Sequence, residues 1–279
     1  MRISVLINTF NEEKNIRNCL ETVKWADEII IVDMYSEDKT VEIAKEYTDK
    51  IYFFERIGYA DPARQFALER ATNDWVLVVD ADELVPLKLK NKLIEIAEKD
   101  LADVVYIPRN NYFFGKLLEG AGWGALQDIQ PRFFKKNFMS FSEIIHNFYK
   151  INKDAKVYYI DDPETGFIHF NYIDVEHFID KFNRYTTIEA KNMFDGIKSA
   201  SFGKFLAKLL VELFGRFLGK KGFKDGLYGF SLTILMVAYH TSSYLKYKIM
   251  TKFNSDNPRE KILMEYSNIT KNIIKKYQE

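Results

Sequence analysis

The chain has 279 residues with 40 basic and 40 acidic side chains, so it lacks the cationic surplus of a protein that coats nucleic acid. Its length suits one large α/β domain, or one domain with an appendage. A single cysteine, Cys19, excludes an intramolecular disulfide and gives no sign of an oxidising compartment.

The opening run Met1 to Ile7 reads as a strand passing into polar residues, not as a secretion signal, and a cytosolic catalytic domain is the default. Strand Ile3 to Thr9 ends at Asn11-Glu12-Glu13, where Asn11 suits a helix cap and the acids suit the positive end of a helix carrying Ile16, Leu20 and Val23 inward. Strand Glu28 to Asp33 follows, then a polar turn and a helix with Val41, Ala44 and Tyr47 on one face. Strand Ile51 to Glu55 is third. Asp61-Pro62 predicts a helix start, with Ala63, Phe66, Ala67 and Ala71 as its buried side. Short joins between alternating strands and helices predict a mostly parallel sheet flanked by helices.

Trp75 to Asp80 is an unbroken Val-rich run, as expected of a strand covered on both faces. Asp80, Asp82 and Glu83 arrive at its carboxyl end, where open α/β sheets bind ligands. While the chain stays extended, Asp80 and Asp82 point to the same side. Packed carboxylates raise one another's pKa unless a cation or hydrogen-bond donors absorb the charge. Mg²⁺ or Mn²⁺, sharing carboxylates with water and substrate phosphates, is the simplest such partner; a solvated turn is the competing reading. The first strand-to-helix turn, Asn8 to Glu12, has no glycine, which removes the dinucleotide fingerprint, and no phosphate-loop lysine pattern is present. A nucleotide would instead meet polar side chains at the strand ends, namely Thr9, Asn11, Glu12, Asp33 and Arg64, whose competing roles are helix capping and surface charge.

A helix follows Pro86. Beyond it, Val104 to Ile107 and Asn111 to Phe114 read as two strands around Pro108-Arg109-Asn110, with Arg132 to Lys135, Lys156 to Ile160 and Gly166 to Phe170 as further strands. The glycine-rich segment Gly120 to Gly124 suits a loop over a sugar, with Trp123 as a stacking surface for an acceptor or as packing. His169 is a candidate metal ligand or phosphate contact, or a satisfied core histidine. A helix is expected from Asp174 to Phe194. Phe202 to Leu218 then places Phe and Leu beside Lys204, Lys208, Arg216, Lys220 and Lys221, a pattern suited to a membrane interface. The stretch 226–245 carries no formal charge but is too polar for a span. These features predict a catalytic domain over 1–198, with a nucleotide-binding half at 1–100 and an acceptor half at 101–198. A helical extension over 199–279 would serve membrane contact or homo-oligomerisation, or simply pack on the sheet.

Thr9-Phe10-Asn11-Glu12, Ile31-Val32-Asp33 with Ser36 and Asp38 to Thr40, Ala63 to Leu68, and Trp75 to Glu83 together resemble, in order and spacing, the family 2 glycosyltransferases. Gln127 to Phe134, Ile145-His146-Asn147 and Gly166 to Phe170 resemble the branch containing lipopolysaccharide-core glucosyltransferases. The resemblance implies a GT-A fold and inverting transfer from a nucleotide-diphosphate sugar, a UDP-sugar first, to a glycan or lipid-linked acceptor at the cytosolic face of a membrane. It implies that Thr9, Asn11, Glu12 and Asp33 border base and ribose, that Arg64 approaches base or phosphates, and that Asp80-Ala81-Asp82 holds the ion on the diphosphate. For the general base it ranks Asp128 first, Glu143 second and His146 third. Two departures stand out: Met34 and Tyr35 replace a small residue and a glycine, and Asn147 replaces a glutamate. Asn147 motivates the alternative of a catalytically inactive nucleotide-sugar-binding scaffold. A nucleotidyltransferase would need a glycine- and lysine-rich triphosphate loop near the first strand, which is not seen.

Overall fold

Alternating strands and helices in the first hundred residues build the parallel core of a larger sheet. The computed structural model describes residues 1–55, 61–141 and 149–277. Strands β1 (Ile3–Thr9), β2 (Glu28–Asp33), β3 (Ile51–Phe53) and β4 (Trp75–Asp80) lie parallel in the order β3-β2-β1-β4, with α1 (Ile16–Val23), α2 (Thr40–Ala44) and α3 (Asp61–Arg70) as crossovers. The period-two pleat sends alternate residues to opposite faces. Val5, Ile7, Ile31, Leu77 and Val79 pack on Ile16, Cys19, Leu20 and Val23 of α1, whereas Leu6, Ile30, Val32, Val76 and Val78 pack on Ala63, Ala67, Leu68 and Ala71 of α3. Both faces are therefore dry, which is why these strands read as continuous apolar runs. Each fully buried aliphatic side chain contributes about 1.5–3 kcal/mol. Cys19 is wholly buried, and burial pushes its thiol pKa up, so it behaves as a core residue.

The sheet continues through β5 (Glu83–Leu84), β6 (Val104–Phe113), β7 (Lys116–Leu117), β8 (Ile129–Lys135), β11 (Val157–Tyr159) and β12 (Phe167–Tyr172), while α4 (Leu87–Glu98) adds Leu89, Leu93 and Ile96 to the first core; β9 (Met139–Phe141) and β10 (Tyr149–Ile151) form a separate hairpin pair. Strand β8 runs antiparallel between β4 and β6, and the short β5 and β7 also run antiparallel to their partners β12 and β6, so the sheet is mixed. The result is the mostly parallel, helix-flanked α/β layout expected of a GT-A fold.

Two sequence expectations are corrected. Residues 104–113 form one strand, not two, because Pro108 falls where β6 changes partners: β11 pairs with 104–106 and β12 with 109–113. No ladder hydrogen bond is lost to the missing proline N–H there. Helix α1 begins at Ile16, since the carbonyl of Glu12 accepts from the amides of Asn15 and Ile16 in a preceding turn, and Asn11 bonds elsewhere. By packing, the chain forms two compact units, 1–173 and 174–279, with α5 (Val175–Phe194) along α7 (Leu227–Phe253) in the second.

In that second unit, α6 (Phe202–Leu210) continues into a π-helical segment, Val211–Gly219, and α8 (Arg259–Lys275) closes the chain. The Lys246 ammonium donates to Asn183, Thr186 and Thr187, tying α7 to α5. Of the residues that made 226–245 unsuited to a bilayer, Gly229, Thr233, His240 and Ser243 are buried, whereas Thr241 is exposed. Among the described residues no helix is long and apolar enough to cross a membrane. Phe202, Leu206, Leu210, Val211, Phe214 and Leu218 stay exposed. Of the basic residues expected beside them, Arg216 is buried on Glu212, Lys208 meets Glu189 while staying partly exposed, and Lys204, bonded to Ser199, is exposed with Lys220 and Lys221.

Candidate active site

Parallel register sets the strand ends side by side, with Thr9 opposite Asp33 and Asn8 opposite Asp80. Thr9 is only 2% exposed, and its hydroxyl, like the amide oxygen of Asn8, has no hydrogen-bond partner among the described residues. Buried polar atoms left unmade at the ligand-binding end of a sheet are unusual and need an explanation. Asp33, fully buried, accepts from the amide and hydroxyl of Ser36 at 2.7 and 2.6 Å. Asn11, at φ 55°, accepts from the Glu37 amide and donates its own amide to the Ser36 hydroxyl, both at 2.8 Å. Glu12 accepts from Asn15 at 2.8 Å, and its amide donates to Thr40. In this structure Asn11, Glu12 and Asp33 thus shape the loops that surround the strand ends.

After β4, Ala81 is buried and Asp82 turns the chain into β5, which pairs antiparallel with β12 so that His169 lies opposite Glu83. The amide of Phe170 donates to the Asp82 carbonyl at 3.0 Å. This pairing brings together two residues far apart in sequence: His169 Nε2 is 3.6 Å from Asp82 Oδ1. Nδ1 of His169 lies 2.6 Å from Oδ1 of Asn111. The Asn111 orientation follows from its neighbours, because its Nδ2 faces the carbonyls of Arg109 and Trp123 and the Asp128 carboxylate. An amide oxygen can only accept, so Nδ1 carries a proton and Nε2, which faces Asp82, is the ring nitrogen available to a cation. A carboxylate beside an imidazole whose far nitrogen is fixed in this way is a donor set suited to a divalent cation.

Asp80, also expected to hold the ion, is engaged by two arginines. One oxygen accepts from Arg64 at 2.7 Å and from Arg132 at 3.2 Å, and the other accepts from Arg132 at 2.6 Å. Burial pushes this carboxyl up, but Arg132 and then Arg64 overcome it and hold it well below the usual carboxylate range. Glu83, fully buried, accepts from the Asp80 amide at 2.9 Å and lies 3.4 Å from Arg109 and 3.7 Å from Arg132. Arg109 in turn grips Asp128 through Nε at 3.0 Å and Nη2 at 2.9 Å, and Asn111 and Gln130 complete that carboxylate's bonds. Burial raises the Asp128 carboxyl, but Arg109 and the two amides draw it below its ordinary value. A polar chain therefore runs from Arg64 through Asp80, Arg132, Glu83, Arg109, Asp128 and Asn111 to His169 and Asp82. A cavity of about 470 Å³ opens on it, lined by Arg64, Asp80, Arg109, Gln130 and Arg132 with Phe141 and Tyr149.

Trp123 packs its ring on buried Phe113, with centroids 5.0 Å apart, and its carbonyl holds Asn111. Gly124 is required in that loop, since a Cβ there would lie 2.2 Å from the Glu119 carbonyl oxygen. Glu143 and His146 lie outside the described residues. Sequence reasoning gave no role to Arg109, Asn111 or Arg132. The available signal was a cation set among Pro131, Phe133 and Phe134 in a buried strand, because a charge in such a place is paired.

Residues 4–166 match the model of Glycosyl transferase family 2. An uncharacterised glycosyltransferase of Rickettsia typhi is 29% identical over 248 residues, 84% of this chain and 82% of that protein. The lipopolysaccharide core biosynthesis glycosyltransferase LpsC of Rhizobium meliloti is 25% identical over 91% of this chain and 96% of its own. Among solved structures, S. aureus TarS 1-349 in complex with UDP-GlcNAc superposes with a TM-score of 0.49 at 14% identity, over 91% of this chain and 93% of that one.

Proposed function

Since the chain belongs to glycosyl transferase family 2, we propose that this glycosyltransferase moves a sugar, with inversion, from a nucleoside-diphosphate donor to a glycan or lipid-linked acceptor, with Mg²⁺ or Mn²⁺ held at Asp82 and His169. The observation that carries the reading is the Asp82–His169 pair, with the imidazole tautomer set by Asn111, beside the unpartnered Thr9 and Asn8 oxygens. The cation, when bound, supplies charge stabilisation on the departing diphosphate. A UDP-sugar is the first donor to test. Arg64 and Arg132 keep Asp80 ionised and place guanidinium groups on the cavity wall, where donor phosphates would lie.

Asp128 is the proton acceptor in this reading. Inversion requires the acceptor hydroxyl to attack the anomeric carbon from the face opposite the leaving diphosphate, and its proton passes to the Asp128 carboxylate. Arg109 ensures that this carboxylate is ionised but lowers its proton affinity, so its contribution falls toward the lower end of the roughly 10²–10⁴-fold range. Asp128→Asn is expected to reduce kcat by about 10²-fold with little change in KM for donor. Transfer at the parent rate would remove Asp128 from the role. Trp123, beside Asn111, is the acceptor-side aromatic of the same proposal.

Attachment at the cytosolic face of a membrane belongs to this reading through the exposed Phe202, Leu206, Leu210, Phe214 and Leu218. Apolar insertion carries this attachment, and of the neighbouring cations Arg216 is buried on Glu212 and adds no attraction to anionic lipid. Leu210→Ser with Phe214→Ser is expected to release the protein from floated liposomes, whereas 0.5 M-scale salt (~3–5 Å screening length) should release little of the parent. Retention of the double variant on the vesicles would reject the attachment surface.

A further inference from the structure

The loop after β2 contains a backbone outlier that the site described above does not use. Tyr35 sits at φ 60°, in the left-handed region that a bulky residue rarely enters. Both sides of it are anchored. The Met34 amide donates to the Thr9 carbonyl at 2.9 Å, and Ser36 is bound to Asp33 and Asn11. Held between these points, the Tyr35 ring stacks on Phe53, with centroids 5.4 Å apart and planes 30° from parallel. Burial does not account for the conformation, because Tyr35 is 61% and Phe53 48% exposed. Strained residues kept without a packing gain point to a ligand role.

Position supplies the ligand. Phe53 lies opposite Asp33, Asp33 opposite Thr9, and Asn8 opposite Asp80, so the aromatic pair stands at the same sheet end as the proposed phosphate and metal groups. From β4 to β3 are three strand spacings, ~14 Å. A nucleoside diphosphate with its phosphates near Asp82 and His169 and its ribose over Thr9 would set its base at β2 and β3. We infer that Tyr35 and Phe53 form a stacking platform for the nucleobase of the donor. The inference rests on the nucleotide-donor reading above and adds the group that grips the base. Stacking on a ring face tolerates any base, so the platform contributes affinity for the nucleoside rather than the choice among nucleosides.

The test uses the full chain with Mn²⁺ and compares binding of UDP, GDP and ADP with binding of pyrophosphate, which has no base. Tyr35→Gly is expected to weaken the best-bound nucleotide by about 5- to 100-fold, while pyrophosphate binding stays at the parent value. Tyr35→Phe should keep nucleotide affinity. Tyr35→Gly should also melt no lower than the parent, since glycine enters the left-handed region without strain, so lost affinity cannot be ascribed to lost folding. Nucleotide binding by Tyr35→Gly equal to the parent, or an equal loss for pyrophosphate, overturns the platform alone. A parent protein that binds none of the three nucleotides overturns the donor reading and this inference with it.

Discussion

Asp82→Ala is expected to lower metal-dependent donor turnover by about 10³-fold or more while the protein remains folded. Charge stabilisation by a bound cation is worth several kcal/mol in the transition state, and each 1.36 kcal/mol is a factor of ten in rate. Asp82 is placed for that task by two features of the backbone. It lies in the two-residue turn between β4 and β5, at the carboxyl end of β4, and β5 then pairs with β12, whose His169 lies within 3.6 Å of it. Asp80 is held by Arg64 and Arg132, so truncation at Asp82 should leave those pairs standing. Donor hydrolysis and transfer measured across a Mn²⁺ titration, with the melting temperature as a folding control, would decide the matter. Undiminished metal-dependent turnover by a folded Asp82→Ala would move the cation elsewhere.

Arg132→Ala should produce the largest loss of stability, roughly 3–5 kcal/mol in the free energy of unfolding at pH 7. Removing one member of a buried ion cluster costs this much because the partners remain charged and uncompensated. Arg132 is 7% exposed, bonds both oxygens of Asp80 and lies near Glu83, so its loss leaves Asp80 with Arg64 alone and Glu83 with Arg109 alone. The pH dependence follows from the direction of the Asp80 shift. Its folded carboxyl lies well below the ordinary value, so the pairing stabilises fully above the unfolded pKa of ~3.9 and fades as pH falls through the lower folded value. The gap between parent and Arg132→Ala in denaturant melts should therefore be widest near neutrality and close in acid. A gap under about 1 kcal/mol at pH 7 would place this cluster with surface ion pairs, which contribute little.

The difference between these residues shows what the sequence could reveal. The parallel half was legible because both faces of each strand are covered: a run such as Val76 to Val79 has no polar side to blur the signal. Asp82 and His169 could be named from their places at strand ends and from the family resemblance. Their adjacency depends on β5 reversing onto β12, a two-residue strand too short to leave a periodicity. The arginines were hidden for a related reason. Asp80 and Arg132 are 52 positions apart and meet only because β8 runs antiparallel beside β4, so Asp80 read as a metal ligand until its neighbours were known. Pro108 broke the strand pattern on paper but not in the sheet, because the partner strand changes there. In the second unit, lysines and arginines were assigned to an outer face by spacing, whereas half-buried Glu212 draws Arg216 inward and half-buried Glu189 binds Lys208.

The central claim is that Asp82 and His169 gather a cation together with the diphosphate of the donor. Mn²⁺ binding followed by electron paramagnetic resonance, with and without UDP, for the parent, Asp82→Ala and His169→Ala tests it most directly. The account predicts that UDP markedly tightens Mn²⁺ uptake by the parent and that either substitution abolishes the tightening. Equal Mn²⁺ uptake by all three proteins in the presence of UDP would contradict it.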